Sequence, residues 1–282
     1  SKKYLILFQN DGELRPTGGF LTYYSIFRVD EGVIHIDSSN DIYRLDDSIR
    51  SHPKAPDIIL KYLPKVNQFY VRDSNLSPDF QESMKTFREF YEESSLSTEI
   101  DGIIALDTDF LVHVIKILGE VKAGGQTFTA ENDPICNCPQ VVYQLQLTTT
   151  KPVGFVRENR KSIVGELLYA TMQKALGVSP GKYWGPLFQQ AVIDASEKHI
   201  LFSLDNPDAQ KGIDALSWAG KIKGFEGDYL HINDANFSGA KTNIFIKQNV
   251  RMDYNIDADG VIRKKLMIEY RNPEKHSDCN LE

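Results

Sequence analysis

Residues 100–119 constrain the fold most, because a buried-strand pattern there hands over directly to a capped helix. Ile100-Asp101-Gly102-Ile103-Ile104-Ala105-Leu106 is an apolar run of strand length. Asp107 or Thr108 then caps a helix carrying Phe110, Leu111, Val114, Ile115 and Leu118 on one face, with Gly119 as its stop. A strand delivered straight into an amphipathic helix predicts a sheet covered by helices. The first forty residues supply more strands: an apolar run at 4–8, a break at Gly18-Gly19, an aromatic and β-branched strand at 20–29, and a turn at Asp30-Glu31-Gly32 into 33–36. Ser77-Pro78-Asp79 reads as N-cap, first-turn proline and first-turn acid of a helix that places Phe80, Met84, Phe87, Phe90 and Tyr91 on one face.

Other segments are less regular. Three prolines between residues 52 and 64 predict a loop or an ordered excursion, and residues 124–151 are polar and irregular. A long amphipathic helix is expected over about 156–176, with Ile163, Val164, Leu167, Leu168 and Met172 as its buried stripe. Residues 177–185 read as a Gly/Pro linker, 187–199 as a helix, 200–202 as a strand and 207–218 as a shorter helix. From Tyr229 the pattern turns to strands at 244–246, 250–256 and 261–270, with Asp257-Ala258-Asp259-Gly260 as a turn. The organisation predicted is an α/β core at 1–180 and a helix-plus-strand, β-rich extension at 181–282.

Composition removes several functions. With 41% hydrophobic and 25% charged residues the chain can bury a core. A net charge of −7 and pI near 5.5 argue against a general nucleic-acid footprint, so an anionic ligand must meet a local basic pocket. No run approaches the roughly 18 apolar residues of a membrane span, and a chain beginning on Ser1 leaves room for a preceding signal or anchor. Cys136-Asn137-Cys138 lacks the further ligands of a zinc site. One disulfide with a free thiol, such as Cys279 reaching back to the pair, and unpaired thiols both stay open. There is no Gly-x-Ser-x-Gly, His-Glu-x-x-His or dinucleotide glycine motif, and Asn236-Phe237-Ser238-Gly239-Ala240-Lys241-Thr242 lacks Walker spacing, reading instead as a tight turn with Lys241 exposed or paired.

The polar cluster Gln9-Asn10-Asp11-Gly12-Glu13-Leu14-Arg15-Pro16-Thr17-Gly18-Gly19-Phe20 follows a buried strand, where open α/β sheets bind ligands. Asp11 and Glu13 have the spacing to hold a hard cation such as Mg²⁺, and Arg15 beside glycine amides suits a phosphate. A polar turn with a structural ion pair accounts for the same residues. Arg72-Asp73 precedes a helix start, where anions bind, or it pins a turn. Arg157, Arg160 and Lys161 share one helical face and repel one another unless an anion or acids compensate.

The runs 10–20, Arg72-Asp73-Ser74-Asn75-Leu76-Ser77-Pro78-Asp79-Phe80, 101–107 and Asp234-Ala235-Asn236-Phe237-Ser238-Gly239-Ala240-Lys241-Thr242-Asn243 resemble the signatures of the bacterial domain-of-unknown-function family 4012. That family typically follows an N-terminal transmembrane helix, which implies an extracytoplasmic, membrane-anchored protein of the cell envelope. The family is similar in turn to the LytR–CpsA–Psr (LCP) proteins, which transfer glycopolymers from polyprenyl pyrophosphate onto peptidoglycan. Residues 100–121 resemble their strand–helix segment, and Arg157-Glu158-Asn159-Arg160-Lys161 resembles their Arg-x-x-Arg-Gln helix start. Asp11 and Arg15 fall near their metal-binding Asp and phosphate-binding Arg. Departures are Thr17 at the second metal-binding Asp, Lys161 for the Gln, and no Arg-x-Arg strand pair between Thr127 and Tyr143.

The resemblance implies an LCP-like fold in which Arg15, Arg72, Arg157, Arg160 and Lys161 bind phosphate. Asp11, Glu13, Arg15 and Asp73 would be catalytic, and Asp11 with Glu13 would hold Mg²⁺. The expected ligand is a polyprenyl-(pyro)phosphate-linked glycan with peptidoglycan or a surface glycan as acceptor, and the activity a phosphotransferase or pyrophosphatase. A non-catalytic envelope module binding a lipid carrier, glycan or protein is the rival reading, and a purely structural surface protein is a third.

Overall fold

The structure is a computed structural model that describes residues 1–63, 65–150, 162–237 and 241–273. Strand β1 (Lys2–Asn10) is central in a mixed five-stranded sheet. It pairs antiparallel with β2 (Phe20–Asp30), which pairs with β3 (Val33–Asp41), and parallel with β4 (Gly102–Leu106). The outer strand beside β4 is β9 (Ile200–Leu204), antiparallel to it. The strand at 200–202 expected in the extension thus belongs to the core sheet.

Strand alternation gives the sheet two faces with different tasks. Leu5 and Leu7 of β1 and Ile103 and Ala105 of β4 turn to one side. There they pack with Phe80, Met84 and Phe87 of helix α3 (Phe80–Glu93) and with Ile42 and Leu45 of helix α1 (Ile42–Asp47). Apart from Ala105, each such fully buried side chain contributes about 1.5–3 kcal/mol. Phe8, on the other parity, faces the cavity described below. On that side lie α4 (Thr108–Leu118), the hairpin β5 (Val121–Ala123) and β6 (Gln126–Phe128), α5 (Gln140–Thr150) and α6, described over Ser162–Gly177. They share a second core of Ile115, Phe128, Val141, Ile163 and Leu167.

Several local expectations change. Asp79 caps α3, its carboxylate accepting from the amides of Gln81 and Glu82, while Ser77 binds Ser83 instead. Helix α2 (Asp57–Tyr62) occupies part of the proline-rich stretch. The stretch expected to be irregular holds regular elements over its described part, residues 124–150: Gly124 and Gly125 both take positive φ and close the β5–β6 turn, and the segment goes on into α5. The linker expected at 177–185 is helical: α7 (Pro180–Glu197) starts with Pro180 in the first turn, where a missing N–H costs nothing, and continues through Pro186. Residues 242–244 form a single 3₁₀ turn, where a strand at 244–246 was expected. After α8 (Pro207–Ala215) the chain ends in a separate hairpin of β10 (Lys247–Ile256) and β11 (Ile262–Arg271). Among the described residues no helix is long and apolar enough to cross a membrane.

The two-residue strands β7 (Asn132–Asp133) and β8 (Cys138–Pro139) flank a disulfide between Cys136 and Cys138. Pairing of Cys279 with either is thereby excluded, and Cys279 itself lies outside the described residues. Both cysteines are buried beside Tyr143, Ile244 and Phe245. So short a closed loop removes little unfolded-state entropy, and the Cys136→Ser, Cys138→Ser double variant is expected to lose only about 1–2 kcal/mol in a urea melt. Failure of that variant to fold would contradict this.

Candidate functional site

The turn from β1 into β2 lies beyond the carboxyl ends of the parallel strands β1 and β4. Its backbone closes on itself, Glu13 N–H donating to Asn10 O at 3.1 Å and Phe20 N–H to Glu13 O at 2.9 Å. Gly18 has φ 124°, and a Cβ on Gly19 would lie 2.5 Å from the Asn10 carbonyl carbon and oxygen. The paired glycines therefore serve the turn. Asn75 stitches the Arg72-Asp73-Ser74-Asn75 run to it, its Nδ2 donating to Thr17 Oγ1 at 2.7 Å and Gly19 O at 2.9 Å.

The closed turn buries Arg15 to 3% exposure. Its guanidinium meets Glu13 at 3.1 Å and Asp73 at 3.7 Å, and lies over the rings of Phe20 and Phe237. Arg15 Nε is buried with no hydrogen-bond partner among the described residues, which leaves a donor to offer. Arg72 reaches the same Asp73 at 3.8 Å, bonds Asp46 at 2.8 Å and lies over Tyr70 and Tyr43. Burial pushes the carboxyls of Asp73 and Asp46 up in pKa even against these guanidinium groups.

A fourth chain segment completes the cluster. Asn236 N–H donates to Leu14 O, and Asn243 N–H to Gly12 O, so the 234–243 run lies along the turn. It delivers Lys241 to Glu13. Lys241 was expected to be exposed or paired, and its place at this site was missed. The only hint was that its run belongs to the same family signature. Arg157, Arg160 and Lys161 lie outside the described residues.

These groups line a cavity of about 440 Å³. Arg15, Arg72, Lys241, Glu13 and Asp73 belong to its polar lining, with Asp107 and Gln146 among others, and Leu63, Val66, Leu111, Val142, Leu145 and Val164 to its aliphatic lining. The lining is thus amphipathic, with cations beside hydrocarbon.

Asp11 has other charged neighbours than Glu13 has. Burial, with Asp109 and Asp107 nearby, raises its pKa to about 6. Of the pair expected to share Mg²⁺, Glu13 is engaged by Arg15 and Lys241. Among the described residues no group of three or more His, Cys, Asp or Glu is placed to hold a metal ion. Asp107 caps α4 and accepts from His199 Nδ1 at 2.6 Å, a bond that raises His199 to about 9, while His113 bonds buried Asp194 at 2.8 Å. A histidine raised above its unfolded value of about 6.5 adds stability that is complete below that pH and lost as pH rises through about 9. Because the ring is partly exposed, the loss from pH 6.5 to 9.5 is expected to be about 1–2 kcal/mol after screening. Thermal melts of His199→Gln should lack that slope, and an equal slope in both proteins would contradict the assignment.

Residues 1–133 match the model of a family described as a protein of unknown function, DUF4012. Three of the four signature runs fall inside that match, and 234–243 lies beyond it. No curated protein matches the chain. Among solved structures, TagV of Bacillus subtilis is similar at 15% identity and TM-score 0.38, over 86% of this chain and 93% of that one. A LytR-Csp2A-Psr enzyme from Actinomyces oris is similar at 10% identity and TM-score 0.38, over 78% and 76%. The Lin1025 protein of Listeria innocua is similar at 9% identity and TM-score 0.35, over 95% and 92%. Scores this low carry no correspondence between individual residues.

Proposed function

We propose that the cavity binds a polyprenyl-(pyro)phosphate-linked glycan at the cell envelope and transfers its phosphoglycan to a peptidoglycan or surface-glycan hydroxyl. The observation that supports this most is the amphipathic lining, in which Arg15, Arg72 and Lys241 stand beside an aliphatic wall. The phosphates would lie against the cations, including the spare Nε donor of Arg15, and the first prenyl units along Leu111, Leu145 and Val164. In transfer, an acceptor hydroxyl attacks the glycan-bearing phosphorus and loses its proton. The P–O bond to the prenyl phosphate breaks, and the cations stabilise the charge left there. Asp73, on the cavity wall with a raised pKa, is the group poised to take the proton. The Cys136–Cys138 disulfide accords with an oxidising, extracytoplasmic location, and an anchor preceding Ser1 would hold the protein at the membrane.

A second reading, binding without turnover, is favoured by one observation. Each of the three cations already has a carboxylate partner in Glu13, Asp73 or Asp46, so the cluster is close to neutral before any ligand enters. Purified protein incubated with a prenyl-pyrophosphate-linked saccharide, with and without Mg²⁺, separates the two. Release of prenyl phosphate that Arg72→Ala abolishes supports transfer. Binding weakened by Arg72→Ala with no release supports the module, and absence of both overturns the cavity as a lipid-phosphate site.

A further inference from the structure

The hairpin of β10 and β11 pairs ten residues on each strand, from Lys247 opposite Arg271 to Ile256 opposite Ile262, and among the described residues no third strand joins either edge. Its alternation is broken only by Gln248 and Lys264 on the mainly apolar face and Met267 on the mainly charged one. Val250, Met252, Tyr254 and Ile256 share one face with Ile262, Leu266, Ile268 and Tyr270, while Lys247, Arg251, Arg263, Lys265 and Arg271 share the other. A strap at residues 228–234 touches the apolar face, Asp234 bonding Gln248 and Tyr270, and Asp228 bonding Tyr254 and Lys264. Tyr254, Ile256 and Ile262 remain 56%, 67% and 59% exposed. A two-stranded ribbon is marginal in water, and a long edge with free backbone groups is a template for another strand.

The β10 edge carries its own complement. When two copies of β10 run antiparallel about a two-fold axis at Met252, Val250 falls opposite Tyr254 of the other copy and Arg251 opposite Asp253. Asn249 then meets Asn255, and Lys247 meets Asp257 just past the strand. Every charged rung opposes unlike charges, each occurs twice by symmetry, and no like charges meet. In the single chain Arg251 and Asp253 have no closer use than each other, at 2.9 Å on a solvent-exposed face. Opposed charges and aromatic–β-branched pairs are the contacts that stabilise neighbouring strands. We propose that the chain dimerises through this edge, forming a continuous four-stranded sheet from two hairpins with an isologous interface centred on Met252. The apolar faces of the two hairpins then join into one surface.

Sedimentation equilibrium of the chain over a range of concentrations tests this, with circular dichroism confirming that each variant folds. The unmodified chain should show a monomer–dimer equilibrium. Arg251→Asp, which sets acid against acid on two rungs, should raise the dimer dissociation constant about tenfold or more. The double variant Arg251→Asp, Asp253→Arg restores opposition in the reversed sense and should return it to near the original value. A chain that stays monomeric at its solubility limit, a dimer indifferent to Arg251→Asp, or a double variant no tighter than the single one would each overturn the proposal.

Discussion

Replacing Arg15 by alanine is expected to lower stability by about 3 kcal/mol and to abolish pyrophosphate binding. The guanidinium is buried between Glu13 and Asp73, and its removal leaves two buried carboxylates without it, that of Asp73 already pushed up in pKa by burial. Lys241 still faces Glu13 and Arg72 still faces Asp73, which holds the loss toward the lower end of the usual range for breaking a buried pair. A denaturant melt measures the first effect and calorimetric titration with pyrophosphate the second. A loss below about 1 kcal/mol would mean that the cluster is held by its backbone turn and not by charge.

Gly19→Ala should be comparably severe, at about 3 kcal/mol or more, for a reason unrelated to ligands. The added methyl would lie 2.5 Å from the Asn10 carbonyl and 2.8 Å from Asp11 N, all backbone atoms that cannot swing aside. The carbonyl of Gly19 also accepts from Asn75, so displacing it loosens the loop that carries Arg72 and Asp73. Gly125→Ala is the control. Gly125 has a positive φ but nothing within 4 Å of its Cβ position, and the change there should cost only about 1 kcal/mol. Equal losses at the two positions, read from paired thermal melts, would count against close approach as the role of Gly19.

Local pattern accounts for much of the architecture and for half of the site. β1, β2, β4, α3 and α4 each combine a regular apolar period with a cap or turn, so their positions can be read before any tertiary contact forms. Arg15, Glu13, Arg72 and Asp73 do come together, because each sits where a strand or loop ends beside the same turn. The remainder depends on distance in the chain. Lys241 reaches Glu13 only after the intervening core has folded, and no local period or cap near residue 241 signals it. The partnership of Asp107 with His199 likewise needs β9 to join the sheet beside β4. For Asp11 and Glu13 close spacing suggested a shared ligand, and it could not show their charged neighbours, Asp109 and Asp107 for Asp11 and Arg15 for Glu13. The first part of α7, residues 180–186, was hidden by its own prolines, because the helix's packing against α4, marked by the His113–Asp194 bond, overrides their local preference.

The amphipathic cavity is tested most directly by comparing two ligands with the same head. Calorimetric titration should find geranyl pyrophosphate bound at least about tenfold more tightly than inorganic pyrophosphate, since burying even a few methylenes against the aliphatic wall contributes about 0.8 kcal/mol each. Equal affinities, or tighter binding of the inorganic ion, would show that no hydrocarbon enters beside the cations and would contradict the lipid-phosphate assignment.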